Sequence, residues 1–200
     1  MKAVLATRNA HKVEEVQRIL ASAGCDVELV PLGTFPDAPE VAETGETFED
    51  NALLKARAIA AATGLLALAD DSGLAVDALN GMPGILSARW SGRHGDDVAN
   101  LQLVLDQISD VPDGRRGAAF VCAAAAVTPH GRGVVAEGRV DGVLTRAPRG
   151  AGGFGYDPIF VPDGETRTTA EMSPAEKDAV SHRGKAFRAL ALRLSELSGG

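Results

Sequence analysis

Apolar residues recur along the chain with two periods, and the points where one gives way to the other predict the elements. Lys2–Ala6 is a short apolar run that breaks on Thr7-Arg8-Asn9, as a strand ending in a turn does. Val13, Val16, Leu20 and Ala23 follow at helical spacing, and Gly24 is a residue type that commonly closes a helix. Val27–Leu32 reads as a second strand, followed by a loop rich in proline and acid from Pro31 to Glu46. Thr47 and Asp50 stand as N-cap and third residue of a helix, a capping box with Asp for the usual Glu. That helix runs toward Thr63-Gly64 with Leu53, Ala56 and Ala60 facing inward.

Leu65–Ala69 reads as a short buried strand that delivers Asp70-Asp71-Ser72-Gly73 at its carboxyl end. Gly81–Gly95 is loop-like, and Asp97–Ile108 is amphipathic with Val98, Leu101, Leu105 and Ile108 on one stripe. Ala118–Val127 and Val134–Val140 form a plausible antiparallel pair, turned by Pro129-His130-Gly131. A glycine-rich loop, Gly150–Asp157, leads into a strand at Ile159–Val161. Ser173, Pro174 and Glu176 are N-cap, first and third residues of a helix, and Phe187, Leu190, Leu194 and Leu197 mark one face of the last one. Crossover and hairpin connections are both present, which predicts an α/β domain with a mixed sheet. No linker or repeat interrupts residues 1–200, so a single domain is expected.

Composition narrows the partners. The 200 residues are 45% apolar and 24% charged, enough for a core without disulfide staples. A net charge of −7 excludes non-specific coating of nucleic acid, so an anionic ligand must find its cations gathered locally. Cys25 and Cys122 form no CxxC pair and read as small buried hydrophobes rather than a disulfide or zinc framework. MKAVLATRN lacks the apolar stretch of a signal peptide, and no run approaches the roughly 20 apolar residues of a membrane helix. A soluble cytoplasmic protein is expected.

Five polar segments fall at strand ends or helix starts, where α/β proteins collect ligands. Thr7, Arg8, Asn9, Ala10, His11 and Lys12 span a strand-to-helix turn, whose amides and helix dipole suit a phosphate; the plain alternative is a capping turn with solvated charges. Asn51 and Lys55 share a helix face, and Glu43 just precedes that helix, so carboxylate, amide and ammonium can converge. Asp70 and Asp71, adjacent after an apolar strand, are costly unless paired or bound to a hard cation such as magnesium; an Asx-type turn closed by Ser72 and Gly73 is the alternative. Gly150–Asp157 formally contains GxGxxG, but Pro148-Arg149 precede it and Pro158 opens a strand, so a dinucleotide fingerprint is rejected. No GxxxxGK[ST] is present either. The loop can instead bring backbone to a ligand while Phe154 stacks on a flat base. Lys177, His182 and Arg183 form a basic cluster, in which Arg183 can donate in a planar fork to a carbonyl oxygen.

Together, TRNAHK, ETGETFEDNALLKA, ADDSGL, PGILSARW, GGFGYDPIF and SHRGKA occur in one order from Thr7 to Ala186. The chain thereby resembles the inosine triphosphate pyrophosphatase family. The resemblance implies two lobes around a long mixed β-sheet flanked by helices, with the active-site cleft between the lobes, and a homodimer. It also implies a purine nucleoside triphosphate substrate and Mg2+. By the same match Asp71 is the catalytic base and a metal ligand, and Glu43 a second metal-associated carboxylate. Thr7, Arg8, Asn9, Ala10, His11, Lys12 and Ser72 hold the triphosphate, with Asn51 and Lys55 beside them. Phe154, Gly155, Tyr156, Asp157, Lys177, His182 and Arg183 form the nucleotide and base pocket. Two rivals differ in class: a Maf-like nucleotide pyrophosphatase, against which SHRG and FGYDP argue, and a non-catalytic nucleotide- or RNA-binding protein, against which the acidic charge and 4% aromatic content argue.

Overall fold

The computed structural model describes residues 1–197. Six strands, β1 (Lys2–Leu5), β2 (Glu28–Val30), β3 (Leu66–Val76), β4 (Gly117–Val127), β5 (Gly133–Leu144) and β6 (Phe160–Pro162), form one sheet in the order β2-β1-β3-β4-β5-β6. β1 pairs in parallel with β2 and β3, Ala3 opposite Leu29 and Leu66, whereas β5 and β6 are antiparallel. The sheet is therefore mixed, as the connections predict. The helices are α1 (Ala10–Ser22), α2 (Phe48–Thr63), α3 (Asp97–Gln107), α4 (Pro174–Val180) and α5 (His182–Arg193). Among the described residues no helix is long and apolar enough to cross a membrane.

The chain forms two compact units. The first comprises Met1–Asp71, Cys122–Gly138 and the chain from Arg183 onward. Its strands are buried on both faces and its side chains alternate between two cores. Ala3, Leu5, Leu68, Cys122, Ala124 and Ala126 meet Val16, Ile19 and Leu20 of α1 and Phe187 and Leu190 of α5. Val4, Ala67, Ala69, Ala123, Ala125 and Val127 meet Ala52, Ala56, Ile59 and Ala60 of α2. The alanines of β4 thus serve two faces at once, and their small size lets helices lie close on both sides. The capping box at α2 is present with Asp50 in the third position, and the helix closes on Gly64 in the left-handed conformation.

The second unit comprises Ser72–Val121 and Arg139–His182 and has one core. Leu74, Val76, Phe120, Val140, Leu144 and Phe160 from the strands pack on Leu101, Val104, Leu105 and Ile108. Arg116 sits within this unit, 2% exposed. Its guanidinium donates to the carbonyls of Ile108 (2.7 Å), Leu144 (3.0 Å) and Thr145 (2.9 Å), joining the end of α3 to the end of β5.

Three elements differ from the pattern-based expectation. β3 does not end at Ala69 but continues through the acidic pair to Val76, because Leu74 and Val76 are buried and the Leu74 amide donates to the Ser87 hydroxyl at 2.9 Å. Val98 is 80% exposed; it lies in the first turn of α3, ahead of the residues that reach the core. Gly81–Gly95 is not all loop, since Gly84–Arg89 winds as a 3-10 helix.

Arg116→Met should destabilise the protein by about 3 kcal/mol, since three carbonyls lose a charged donor in a buried place. Urea unfolding of the variant checks this; an unchanged midpoint would remove Arg116 from that role.

Candidate active site

Asp70 and Asp71 are neighbours in β3, so their side chains leave the strand on opposite faces. Asp70 follows the face of Leu68, where α1 and α5 lie. Asp71 follows the face of Ala67 and Ala69, where α2 lies. Each carboxylate consequently meets its own set of countercharges.

On the Asp70 side the charges alternate in a row. Arg183 donates from Nε and Nη2 to Asp70 Oδ2 at 3.2 and 3.1 Å, and from Nη1 to Glu15 Oε2 at 2.9 Å. Lys12 Nζ lies 3.4 Å from both Asp70 oxygens. Arg183 is 2% exposed, and burial, which alone would lower its pKa, is outweighed by Asp70 and Glu15, which hold it firmly charged. Lys12 occupies the first turn of α1, a helix with no acidic residue there to offset its dipole. The turn before it is built by local caps: Thr7 Oγ1 accepts from the Asn9 amide at 3.1 Å, and Asn9 Oδ1 accepts from the Lys12 amide at 3.3 Å. Arg8, Ala10 and His11 are exposed along that turn, with Arg8 Nη2 on the Ala38 carbonyl at 3.3 Å.

On the Asp71 side, Lys55 Nζ lies 2.5 Å from Glu43 Oε1 and 3.5 Å from Asp71 Oδ1. Asn51 Nδ2 donates to Asp71 Oδ2 at 2.9 Å, while its Oδ1 accepts from the Gly45 amide at 2.8 Å. Gly45 approaches so closely that a Cβ there would meet Asp50 and Asn51. One helix face therefore gathers carboxylates from the preceding loop and from β3. Burial, the largest influence, with Glu43 and Asp70 raises the Asp71 pKa above the ordinary carboxylate value against the pull of Lys55 and Asn51. Burial lowers that of Lys55, but Asp71, Asp70 and Glu43 outweigh it and the net shift is upward. Ser72, next in β3, is half-buried.

The second unit gathers a different set. Asp157 accepts on Oδ2 from the Phe154 amide (2.8 Å) and from Lys177 Nζ (2.6 Å), and on Oδ1 from the Thr169 hydroxyl (2.8 Å). Gly153, in the left-handed region, leaves room for this carboxylate where a Cβ would run into it. Lys177 also stands 4.8 Å over the Phe154 ring, which is 37% exposed. Tyr156 donates its hydroxyl to the Ser87 carbonyl at 2.8 Å, and the Gly155 amide donates to Asp97 Oδ2 at 2.8 Å. His182 stacks on Phe120 with ring centroids 4.7 Å apart.

The structure thus brings Glu43, Asn51, Lys55 and Asp71 together, Lys12 together with Asp70, and Phe154 together with Asp157 and Lys177. Arg183, expected beside the base, is placed in the first unit with its guanidinium on Asp70 and Glu15. Sequence reasoning missed Glu15, Thr169 and Asp97. Glu15 stands three residues after Lys12, on the same helix face, which was a usable signal; Thr169 lies inside a Thr168–Glu171 capping box, a local pattern that carries no sign of the distant Asp157.

Comparison with known proteins agrees along almost the whole chain. The model of the Ham1 family matches residues 3–192. A dITP/XTP pyrophosphatase of Streptomyces coelicolor is 61% identical over 196 residues, covering 98% of each chain. One of Mycobacteroides abscessus is 62% identical over 198 residues, covering 98% of this chain and 96% of that protein. Among solved structures, a nucleoside-triphosphatase/dITP/XTP pyrophosphatase of Mycobacterium abscessus is 62% identical with a TM-score of 0.76, covering 97% of this chain and 99% of that one. A HAM1 protein of Coxiella burnetii is 41% identical with a TM-score of 0.87, covering 98% and 99%.

The two adjacent carboxylates should respond oppositely to neutralisation. A carboxyl whose pKa is raised by folding is stabilising when protonated and loses that contribution as pH rises through the raised value. At neutral pH ionised Asp71 is therefore a net cost, and Asp71→Asn should melt at or above the parent's temperature without metal. Asp70→Ala leaves Arg183 and Lys12 short of their shared partner and should lose about 3 kcal/mol. Thermal and urea unfolding at pH 7 check both; equal losses would overturn the distinction.

Proposed function

The chain belongs to the Ham1 family, and from that premise we propose that it hydrolyses non-standard purine nucleoside triphosphates (ITP, dITP, XTP) to nucleoside monophosphate and pyrophosphate. The observation that carries the reading is the meeting of Glu43, Asn51, Lys55 and Asp71 at one place, reached from three separate stretches of chain.

Two carboxylates that already share a cationic partner fit a magnesium ion, which takes one or two carboxylates and leaves its other positions to water and phosphate oxygens. Glu43 and Asp71 would hold it. When bound, magnesium supplies charge neutralisation on the phosphate oxygens.

The chain's own groups do the rest. Asn51 fixes one Asp71 oxygen, which orients the carboxylate, and the raised pKa makes it a stronger base than an exposed aspartate. Asp71 takes the proton of the water that attacks the α-phosphorus, and pyrophosphate leaves. Lys12, Lys55, Ser72 and the amides of the Thr7–Lys12 turn receive phosphate oxygens; phosphoryl transfer asks mainly for such positioning and charge. Asp70, tied to Arg183, keeps Lys12 directed rather than loose in solvent. Phe154 offers a ring for the base, with Gly155, Tyr156, Asp157, Lys177 and His182 around the nucleoside. A donor such as Lys177 favours a 6-oxo purine over adenine, whose 6-amino group is itself a donor. Guanine shares the 6-oxo group, so its exclusion rests on the 2-position. The proposal places the enzyme in the cytoplasm as a homodimer, which light scattering at twice the chain mass checks.

A nucleotide panel followed by product analysis tests the reading. ITP and XTP should yield monophosphate and pyrophosphate, a chelator should abolish release, and Asp71→Asn should lower turnover roughly a thousandfold. GTP turnover equal to that of ITP, or orthophosphate as the product, would overturn it.

A further inference from the structure

We propose that Asp97 is a positioning residue for the nucleoside end of the site, acting through Phe154; the inference rests on the proposed reading of Phe154 as a platform for the base. Helix α3 does not need the Asp97 side chain as its cap, because Asp96 fills that place and accepts from the Ala99 amide at 3.2 Å. Asp97 instead reaches across 58 residues of sequence to the Gly155 amide, 2.8 Å from Oδ2. The preceding amide, of Phe154, is held at 2.8 Å by Asp157. Successive N–H groups on either side of the Phe154 carbonyl are thus each bound by a carboxylate, one from within the loop and one from α3.

This matters because Gly155, which follows the ring-bearing residue, has no side chain of its own to fix it. Gly150, Gly152 and Gly153 pack against Ala170 and Asp157, whereas Gly155 has open space around it and sits at φ 61°. The Phe154 ring is partly exposed, with Lys177 Nζ 4.8 Å from its centroid, and its direction follows the backbone at 154–155. Tyr156 anchors the far side of the loop through its hydroxyl on the Ser87 carbonyl. Asp97 adds an anchor at Gly155 to those at Gly152, on the Ala170 carbonyl, and at Phe154, on Asp157, and its charge adds to burial in holding the Tyr156 phenol protonated. A platform fixed before the ligand arrives loses less entropy on binding, so the effect belongs in affinity rather than in the chemical step.

The test is steady-state kinetics on ITP with Asp97→Ala, Asp97→Asn, Phe154→Ala and the double variant Asp97→Ala/Phe154→Ala. Asp97→Ala should raise KM about tenfold and leave kcat within about twofold. Asp97→Asn keeps an acceptor oxygen and should recover most of the loss. The double variant should be no worse than Phe154→Ala alone, since one residue acts through the other. Additive losses, or a fall in kcat at unchanged KM, would overturn the role of Asp97. A Phe154→Ala enzyme with unchanged KM would instead overturn the platform reading itself, and Asp97 with it. If Asp97→Ala does not fold, Asp97→Ser serves in its place: it suits a helix start, and its hydroxyl is too short to reach Gly155.

Discussion

Two carboxylates side by side in the middle of a buried strand have to be neutralised separately, because the strand sends them to opposite faces of the sheet. This constraint orders the charged residues of the first unit. Asp70 emerges on the face covered by α1 and α5 and is met by Lys12 and Arg183. Asp71 emerges on the face covered by α2 and is met by Asn51 and Lys55. Each set makes its direct contacts with its own carboxylate, while Lys55 also responds to the charge of Asp70. The acidic pair therefore presents two sets of direct partners that remain coupled through charge.

The apolar pattern is what makes those meetings reproducible. On α1, Lys12 and Glu15 share a side with Val16 and Ile19, so burying the stripe also carries the two charges to the sheet. On α2, Asn51 and Lys55 are flanked by Ala52, Ala56 and Ile59 and travel with them in the same way. On α5, Arg183 leads into Ala186, Phe187 and Leu190. Polar chemistry is thus placed by hydrophobic contact, and the alanines of β4 allow helices on both faces to come close enough. A larger residue there would push a helix outward and lengthen hydrogen bonds that are now near 3 Å.

Much of this was legible in the chain before folding, and what was not has physical reasons. Strand and helix positions followed from period, and the caps at Thr47 and Ser173 followed from residue type; both are local properties. The convergence of Glu43, Asn51 and Lys55 was readable because helix spacing is regular. The course of β3 was not: Asp-Asp-Ser-Gly has the composition of a turn, and only pairing with neighbouring strands and burial of Leu74 and Val76 keep it extended. The reach of Asp97 to Gly155 is invisible for a related reason, since nothing local distinguishes a capping carboxylate from one that leaves the helix for a distant amide. Arg183 shows the same limit, because its carboxylates lie 113 and 168 residues away.

The two charge clusters of the first unit also differ in sum, and the difference separates their roles. Glu15, Arg183, Asp70 and Lys12 alternate in sign and cancel, so this row has little attraction for a further cation. It ends instead in a directed ammonium at the start of a helix, where an anion gains from both charge and dipole. Glu43 and Asp71 share the single charge of Lys55 and keep one negative charge in excess. Burial magnifies that excess, as the raised Asp71 pKa reflects, and a divalent cation relieves it more completely than a proton does. The proposed function asks for both an anion cradle and a cation seat. Asp70 and Asp71 give Lys12 and Lys55 each a different nearest carboxylate, and under the proposed function that division separates an anion cradle from a cation seat.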